Sequence, residues 1–163
     1  MPVVWIKRKA LTRLNKEVTD KSPMETGGIL LGYINYSPDN CDIVVTDAVG
    51  PGRNSTHGEF SFTPDSKYHD GAIARRYTSS GRIVTYLGDW HSHPGGRPSL
   101  SRRDKATLVA IAEYQPSRAR NPIMLIVGTP VSLENTIMFM VTETPRGRRK
   151  KYILAELEIR LFS

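Results

Sequence analysis

The chain has 163 residues, which fits one domain of the usual 100–200 residues or so, and its formal net charge is +7. Cys41 is the only cysteine, which excludes an internal disulfide and favours a reducing cytoplasm. The longest uncharged stretch, residues 121–133, is shorter than the roughly 20 residues of a membrane span, and the apolar run at the amino terminus is too short for a signal peptide, so we expect no membrane association.

The first third of the chain predicts one helix followed by a β-hairpin. Apolar residues recur at helical spacing and stop before Ser22-Pro23; they are Ala10, Leu11, Leu14 and Val18. Residues 27–33 and 41–49 read as strands on either side of the turn sequence Ser37-Pro-Asp-Asn40. Within the second strand we expect Cys41 to be a buried residue rather than a nucleophile.

The middle of the chain predicts a short strand, a helix and a longer central strand. Phe60 and Phe62 alternate in the short strand, before a Thr63-Pro64-Asp65 sequence that suits a helix entry. The helix is expected to end near Ser80-Gly81, and its apolar lining would be Tyr68, Ala72 and Tyr77. Residues 83–93 then form the predicted central strand.

The last part of the chain predicts a third helix and three strands. The helix spans residues 101–113, and the uninterrupted apolar run at 123–127 indicates a strand buried on both faces. Further strands are expected at 131–142 and 152–157. The predicted class is therefore α/β, with a mixed α+β sheet and flanking helices in a single domain over residues 1–163.

Two histidines separated by one residue, His91 and His93, lie at the end of the predicted central strand. Their side chains point to the same side because a strand alternates faces with period two, so both can bind one ion. Asp104, at the start of the next helix, offers a third ligand and leaves the fourth tetrahedral position of Zn²⁺ open for water. We expect one Zn²⁺ per chain, with Glu25, ahead of the first hairpin strand, as a general base.

Each of these features has a simpler explanation when it is taken alone. Ser101-x-x-Asp104 is also a capping box for the third helix, and His-x-His is commonly an ordinary surface or core pair. A single Glu beside two glycines says little. The order of the features favours the metal site: glutamate before a strand, the histidines at the end of a later strand, and the aspartate at the next helix start.

At these residues the chain resembles the JAMM metallopeptidases, the catalytically competent branch of the MPN domains. That family has a Glu, then His-Ser/Thr-His, seven residues, and Ser-x-x-Asp. The chain matches every position of this pattern: Glu25, His91-Ser92-His93, Ser101 and Asp104. The resemblance implies a cytidine-deaminase-like MPN fold from about residue 5 to about residue 154.

The resemblance also implies roles for individual residues. The zinc ligands would be His91, His93 and Asp104, and Glu25 would be the general base. The Ser101 hydroxyl would help to stabilise the oxyanion of an amide under hydrolysis. A non-catalytic MPN scaffold, the main structural alternative, lacks such ligands, whereas this chain has all of them. A non-haem iron oxygenase also uses two histidines and a carboxylate, and metal analysis separates the two.

Members of the JAMM family cleave after the C-terminal residue of ubiquitin or a ubiquitin-like protein, usually at an isopeptide bond. The Leu87-Gly-Asp-Trp-His-Ser-His-Pro sequence resembles the prokaryotic members, and most of all the peptidases of CBASS antiphage operons. The resemblance implies a protein substrate, either a ubiquitin-like protein or a conjugated nucleotidyltransferase C-terminus. Other bacterial relatives process sulfur-carrier or phage and mobile-element proteins, and no motif decides among them.

The positive charge is concentrated in two places. One group surrounds the predicted site: Arg97, Arg102, Arg103 and Lys105. The other is the run from Arg146 to Lys151, which is either a solvated loop or an acidic-partner surface. Nucleic acid is disfavoured because no aromatic residues interleave with the charge. Residues 94–98 are either a substrate-gating loop or a plain connection, and Gly27-Gly28 either lets the backbone approach the site or simply turns.

Overall fold

A computed structural model describes residues 2–146 and 149–163 of the chain. In this part of the chain the helices are α1 (Arg8–Lys21), α2 (Ser66–Ser79) and α3 (Arg102–Glu113). The strands are β1 (Val3–Lys7), β2 (Gly27–Ser37), β3 (Asn40–Val49), β4 (Thr56–His57), β5 (Phe62–Thr63), β6 (Thr85–Ser92), β7 (Ile123–Val127), β8 (Thr136–Arg146), β9 (Arg149–Glu156) and β10 (Glu158–Phe162).

Eight of the strands form one mixed sheet in the order β10-β1-β3-β2-β6-β7-β8-β9. Strand β6 lies near the middle, antiparallel to β2 and parallel to β7. Strands β4 and β5 pair separately as a small antiparallel hairpin, called the β4–β5 hairpin below. The mixed sheet with flanking helices confirms the predicted fold class.

The helices cover both faces of the sheet. Strand β7 is buried at all five positions, and its side chains alternate between two apolar clusters. Leu125 packs in the cluster that contains Leu14 of α1, whereas Met124 and Ile126 pack with Leu108 of α3 on the other face. Burial on both faces explains why this strand reads as an unbroken apolar run instead of an alternating one.

The sheet register brings the start of β2 beside the end of β6. Gly27 pairs with His91, and Gly28 pairs with Trp90. A Cβ atom on Gly27 would lie 2.4 Å from Cζ of Phe62, and one on Gly28 would lie 1.9 Å from the carbonyl oxygen of Val49. Because the two glycines have no side chain, other segments of the same chain can approach them closely. Both glycines lie within strand β2 and not in a turn.

Several predicted elements are confirmed. Helix α1 buries Ala10, Leu14 and Val18, and the predicted hairpin forms from β2 and β3. Helix α3 begins directly after Ser101 and ends at the predicted Glu113. Cys41 lies on β3 as expected but is only half-buried.

Other predictions differ from the structure. Phe60 is outside any strand and 79% exposed, and β5 begins at Phe62. Helix α2 buries His69 and Ala72 and leaves Tyr68 exposed, and Nε2 of the buried His69 donates to the Gly50 carbonyl. Residues 133–135 form a 3₁₀ turn before β8, so this strand begins at Thr136.

Two strands have no counterpart in the sequence-based expectation: β10, at one edge of the sheet, and β1, next to it. They pair in parallel with each other, and β1 also pairs in parallel with β3. Such pairing joins distant parts of the chain, and no local turn signal announces it. The predicted basic run at 146–151 includes residues 147 and 148, which lie outside the described residues, so its role stays a prediction.

None of the helices in the described residues is long and apolar enough to cross a membrane.

Candidate active site

Three predicted ligands come together where β6 ends and α3 begins. Nε2 of His91 lies 3.0 Å from Nε2 of His93 and 3.1 Å from Oδ1 of Asp104. Nε2 of His93 lies 3.9 Å from Oδ2 of Asp104. One ligand atom from each residue can be chosen so that all lie within 4.8 Å of one another. The structure therefore brings together the residues that the sequence separates by up to 13 positions.

The spacing of these atoms suits a tetrahedral metal ion. Ligand atoms about 2.0–2.1 Å from one zinc ion in tetrahedral geometry are about 3.3 Å from each other. The observed separations of 3.0 and 3.1 Å around His91 are close to that value. Two imidazole nitrogens and one carboxylate oxygen are also the donor types of catalytic zinc sites. The residues present fit a zinc ion.

The helix start holds the carboxylate of Asp104 in place. Ser101 is the N-cap of α3, and its Oγ accepts a hydrogen bond from the Asp104 N–H at 3.1 Å. In return, Oδ2 of Asp104 accepts from the Ser101 N–H at 2.7 Å. Because Oδ1 faces His91, the same side chain completes the capping box and contributes to the cluster. The two explanations of Ser-x-x-Asp are therefore compatible.

The electrostatics favour the protonation states that bind a cation. Burial raises the pKa of Asp104, but hydrogen bonds from His91 and Ser101 outweigh it and hold that pKa well below the usual range. Burial lowers the pKa of His93, and His91 lowers it further. At neutral pH the carboxylate of Asp104 is therefore ionised and the ring of His93 is neutral, as metal ligands must be.

Glu25 lies in the same cleft, next to the cluster. Burial raises the pKa of its carboxyl group, and the nearby His91 and Arg103 lower it while Asp104 raises it. These influences show that the Glu25 carboxyl group shares the electrostatic environment of the cluster. A carboxylate with a raised pKa in a cleft is a good proton acceptor at neutral pH.

Ser92, between the two histidines, fixes the chain that carries Glu25. Its side chain points to the opposite face from the histidines and is fully buried. The Thr26 N–H donates to Oγ of Ser92 at 3.0 Å, and the Ser92 N–H donates to the Thr26 carbonyl at 2.8 Å. The spacing His-Ser-His predicts the opposite orientation of the serine, but its long-range partner could not be read from the sequence.

The cluster opens into a cleft of about 570 Å³. The β4–β5 hairpin and its turn form one wall, with Phe60 and Phe62, and α3 forms another, with Ser101 and Arg103. Of the four predicted basic residues near the site, Arg103 lines the cleft, while Arg97, Arg102 and Lys105 are exposed on the surrounding surface.

Asp89 is a further carboxyl group in this cleft that was not predicted. It lies two residues before His91, on the same face of β6, and accepts a hydrogen bond from the Tyr86 hydroxyl at 2.7 Å. Burial raises the pKa of Asp89, against the lowering effect of that hydrogen bond. Its position in the alternation of β6 was the available signal.

The loop at 94–98 is attached to a neighbouring loop. The Gly95 N–H donates to Oγ1 of Thr129 at 2.9 Å, and a Cβ on Gly128 would lie 2.6 Å from the Gly96 carbonyl oxygen. Gating of the site by this loop stays a prediction.

A second groove, of about 560 Å³, lies between α1 and α2. Its central carboxylate, Asp47, is paired with Arg76 at 2.8 Å and lies 3.8 Å from Arg13. Because these opposite charges pair with each other, we interpret the groove as part of the packing of the two helices against β3.

Comparison with known proteins is consistent with this geometry. Residues 7–142 match the family model described as prokaryotic homologs of the JAB domain. A protein of Sinorhizobium fredii named "Probable metalloprotease y4qB" is 33% identical over 128 residues, which cover 77% of this chain and 75% of that protein. A protein of Enterobacter hormaechei named "CD-NTase/cGAS isopeptidase" is 28% identical over 125 residues, which cover 77% of this chain and 67% of that protein.

A solved structure supports the fold. The solution structure of protein DSY2949 from Desulfitobacterium hafniense superposes with a TM-score of 0.61 and covers 98% of this chain and 93% of that chain. At 17% sequence identity it shows a shared fold and carries no information on activity.

Proposed function

The chain belongs to the prokaryotic homologues of the JAB domain, the JAMM or MPN family of zinc hydrolases, and from that premise we propose that it is a zinc-dependent isopeptidase. It would cleave the bond after the C-terminus of a ubiquitin-like protein or of a protein conjugated in the same manner. The observation that carries the proposal is the placement of Glu25 beside the cluster of His91, His93 and Asp104 in one open cleft.

The residues of this cleft divide the chemistry among them. His91, His93 and Asp104 would hold one Zn²⁺, which supplies Lewis acidity and makes water a nucleophile at neutral pH. Glu25 takes the proton of the attacking water and passes it to the leaving amine. The Oγ of Ser101 already accepts a hydrogen bond from the helix, so its own hydrogen is free to donate to the oxyanion.

The β4–β5 hairpin provides a surface for an extended tail. Strand β5 has β4 on one side, and within the described residues no strand pairs with its other side. Phe60, beside this edge, is 79% exposed and lines the cleft. A C-terminal tail can add to such an edge through main-chain hydrogen bonds and bring its last carbonyl to the metal site. Such a tail needs no deep side-chain pocket.

The surface around the cleft favours an acidic partner domain. Arg97, Arg102 and Arg103 are exposed beside the site, and the net charge of the chain is +7. Positive charge at the rim of an interface speeds association with an acidic surface, and this effect becomes smaller as the salt concentration rises. Specificity would then come from the folded domain and not from the tail alone.

The relatives narrow the candidate substrate. The name CD-NTase/cGAS isopeptidase, given to the Enterobacter relative, supports a nucleotidyltransferase conjugated through its C-terminus, and hence a role in CBASS antiphage signalling. The relative named as a probable metalloprotease supports peptidase activity alone, so a peptidase that trims a sulfur-carrier or phage protein is the second candidate. Every motif residue of the active branch is present, from Glu25 through the two histidines to Ser101 and Asp104, which weighs against a non-catalytic scaffold.

Product analysis tests the proposal. We expect the zinc-loaded protein to cut a fusion or isopeptide conjugate immediately after the last residue of the ubiquitin-like or nucleotidyltransferase partner. Free peptides should be cut slowly, and chelators but not thiol or serine reagents should inhibit. Mass spectrometry of the products reads out the cut site. Internal cuts at equal rates in unstructured peptides would instead identify a general peptidase.

Replacement of Ser101 separates its two roles. Ser101→Ala removes the N-cap acceptor of the Asp104 N–H and should cost about 1 kcal/mol of stability. It should also lower turnover, by less than the loss of Glu25, because the oxyanion loses one donor. Ser101→Thr keeps a hydroxyl in both roles and serves as the matched control. Melting temperatures report the cap, and kcat reports the donor; wild-type kcat in Ser101→Ala would remove the oxyanion role.

A further inference from the structure

The main chain of Glu25 is held by the β4–β5 hairpin. The Glu25 N–H donates to the Gly58 carbonyl at 2.9 Å. Nδ1 of His57 lies 2.9 Å from the Glu25 carbonyl oxygen, and since a carbonyl only accepts, Nδ1 carries the hydrogen. The N–H and the carbonyl of Glu25 are therefore both hydrogen-bonded, to Gly58 and to His57 of β4.

The ring of His57 has two further contacts, one at Nε2 and one on its face. Oγ of Ser55 lies 3.0 Å from Nε2, so the ring is fixed at both nitrogens. Phe62, its partner across the hairpin, stacks on the ring with centroids 6.2 Å apart and planes 14° apart. The Phe62 ring also reaches Gly27, where a Cβ atom would lie 2.4 Å from Cζ. His57 thus connects β5 to the segment that carries Glu25.

The two strands of the hairpin contact different parts of the molecule. The β4 side holds the main chain of Glu25, and the β5 side borders the cleft through Phe60 and Phe62. Because Phe62 stacks on the ring of His57, a residue that borders the cleft packs against the residue that bonds the Glu25 carbonyl. A misplacement of a catalytic group by 1 Å can cost about a hundredfold in rate, so such support matters for turnover.

We propose that His57 is a positioning residue: from the β4–β5 hairpin it holds the main chain of Glu25 in place. This inference rests on the proposed function, in which Glu25 is the base. It adds a second role for the hairpin: besides binding the tail, the hairpin holds the main chain of Glu25 by hydrogen bonds. The effect of His57 should therefore fall on kcat, whereas the effect of Phe60, at the mouth of the cleft, should fall on KM.

Two substitutions of His57 separate hydrogen bonding from packing. His57→Phe keeps a ring against Phe62 but removes both nitrogens. His57→Asn places an amide nitrogen near the position of Nδ1 and can restore the bond to the Glu25 carbonyl. His69→Phe is the matched control, because Nε2 of His69, on α2, donates to the Gly50 carbonyl at 2.8 Å, a bond of the same kind elsewhere in the fold.

The first readout is hydrogen exchange of the Glu25 amide, which needs no activity. In His57→Phe it should exchange about threefold to tenfold faster, the change expected from one weakened hydrogen bond, and His57→Asn should restore protection. The second readout is steady-state kinetics on a conjugate: kcat should fall about tenfold to a hundredfold in His57→Phe with KM unchanged. His57→Asn should recover most of this loss.

The outcomes separate this inference from the proposed function. If the wild type cleaves no conjugate, the proposed function fails, and the exchange of the Glu25 amide still decides whether His57 positions that residue. If the wild type is active, an unchanged Glu25 amide in His57→Phe overturns the inference. A kcat loss no larger than that of His69→Phe at equal melting temperature overturns it as well.

Discussion

Replacing Glu25 by glutamine is expected to lower turnover by at least about a hundredfold while one zinc per chain stays bound. Glutamine has the size of glutamate but cannot accept a proton, so the attacking water loses its base. The side chains that could hold the metal are His91, His93 and Asp104, and Glu25 is not one of this group. Metal content by mass spectrometry and kcat on a conjugate check the two halves of this expectation.

The stability of the same variant gives a pH-dependent control. Burial raises the pKa of Glu25 above its value in the unfolded chain, so this carboxyl group costs the metal-free fold stability as the pH rises above the unfolded pKa, and the cost is complete above the folded pKa. Glutamine avoids that cost. Metal-free Glu25→Gln should thus melt higher than the wild type at pH 7, and the difference should vanish below pH about 4.3, the ordinary pKa of a glutamate. Near-normal turnover in a zinc-loaded variant would refute the role of Glu25 as the base.

Replacing His91 by alanine is expected to empty the metal site and abolish turnover. Nε2 of His91 is the ligand atom that contacts both other members of the cluster, at 3.0 and 3.1 Å. Its loss leaves two ligands, too few for a catalytic zinc site. The wild type should gain about 2.7 kcal/mol of stability when free zinc is a hundredfold above its Kd, and the variant should gain none. Thermal melts with and without zinc measure this difference.

Asp104→Asn refines the test. The asparagine oxygen can still accept from the Ser101 N–H, so the start of α3 is kept while the charge that attracts the cation is removed. This variant should fold and lose metal affinity. His69→Asn, in a histidine outside the cluster, should bind zinc as the wild type does. Wild-type zinc content in both His91→Ala and Asp104→Asn would contradict the ligand assignment.

The closeness of His91, His93 and Asp104 could be predicted from the sequence because their geometry is local. The alternation of a strand places His91 and His93 on one side, and the first turn of a helix places Asp104 at its opening. Only seven residues separate His93 from Ser101, so the end of the strand and the start of the helix must be neighbours. The roles of these residues as ligands, and of Glu25 and Ser101 in catalysis, remain predictions that the experiments above test.

The supports of the site could not be predicted because they depend on long-range packing. Ser92 bonds Thr26 across 66 residues, and His57 bonds the Glu25 carbonyl across 32 residues. The same limit explains the missed strands β1 and β10, whose parallel pairing joins opposite ends of the chain. The alternation of Phe60 with Phe62 predicts a strand, but Phe60 lies in the turn that closes the hairpin.

Restoration of activity by zinc tests the central claim most directly. The wild-type protein is stripped with a chelator, zinc is added back in known amounts, and cleavage of an isopeptide conjugate is measured at each step. The rate should start near zero, rise in proportion to zinc and level off at one equivalent per chain, as expected for one ion held by His91, His93 and Asp104. Undiminished cleavage by the stripped protein, or no cleavage at any zinc content, would contradict the assignment of this chain as a zinc isopeptidase.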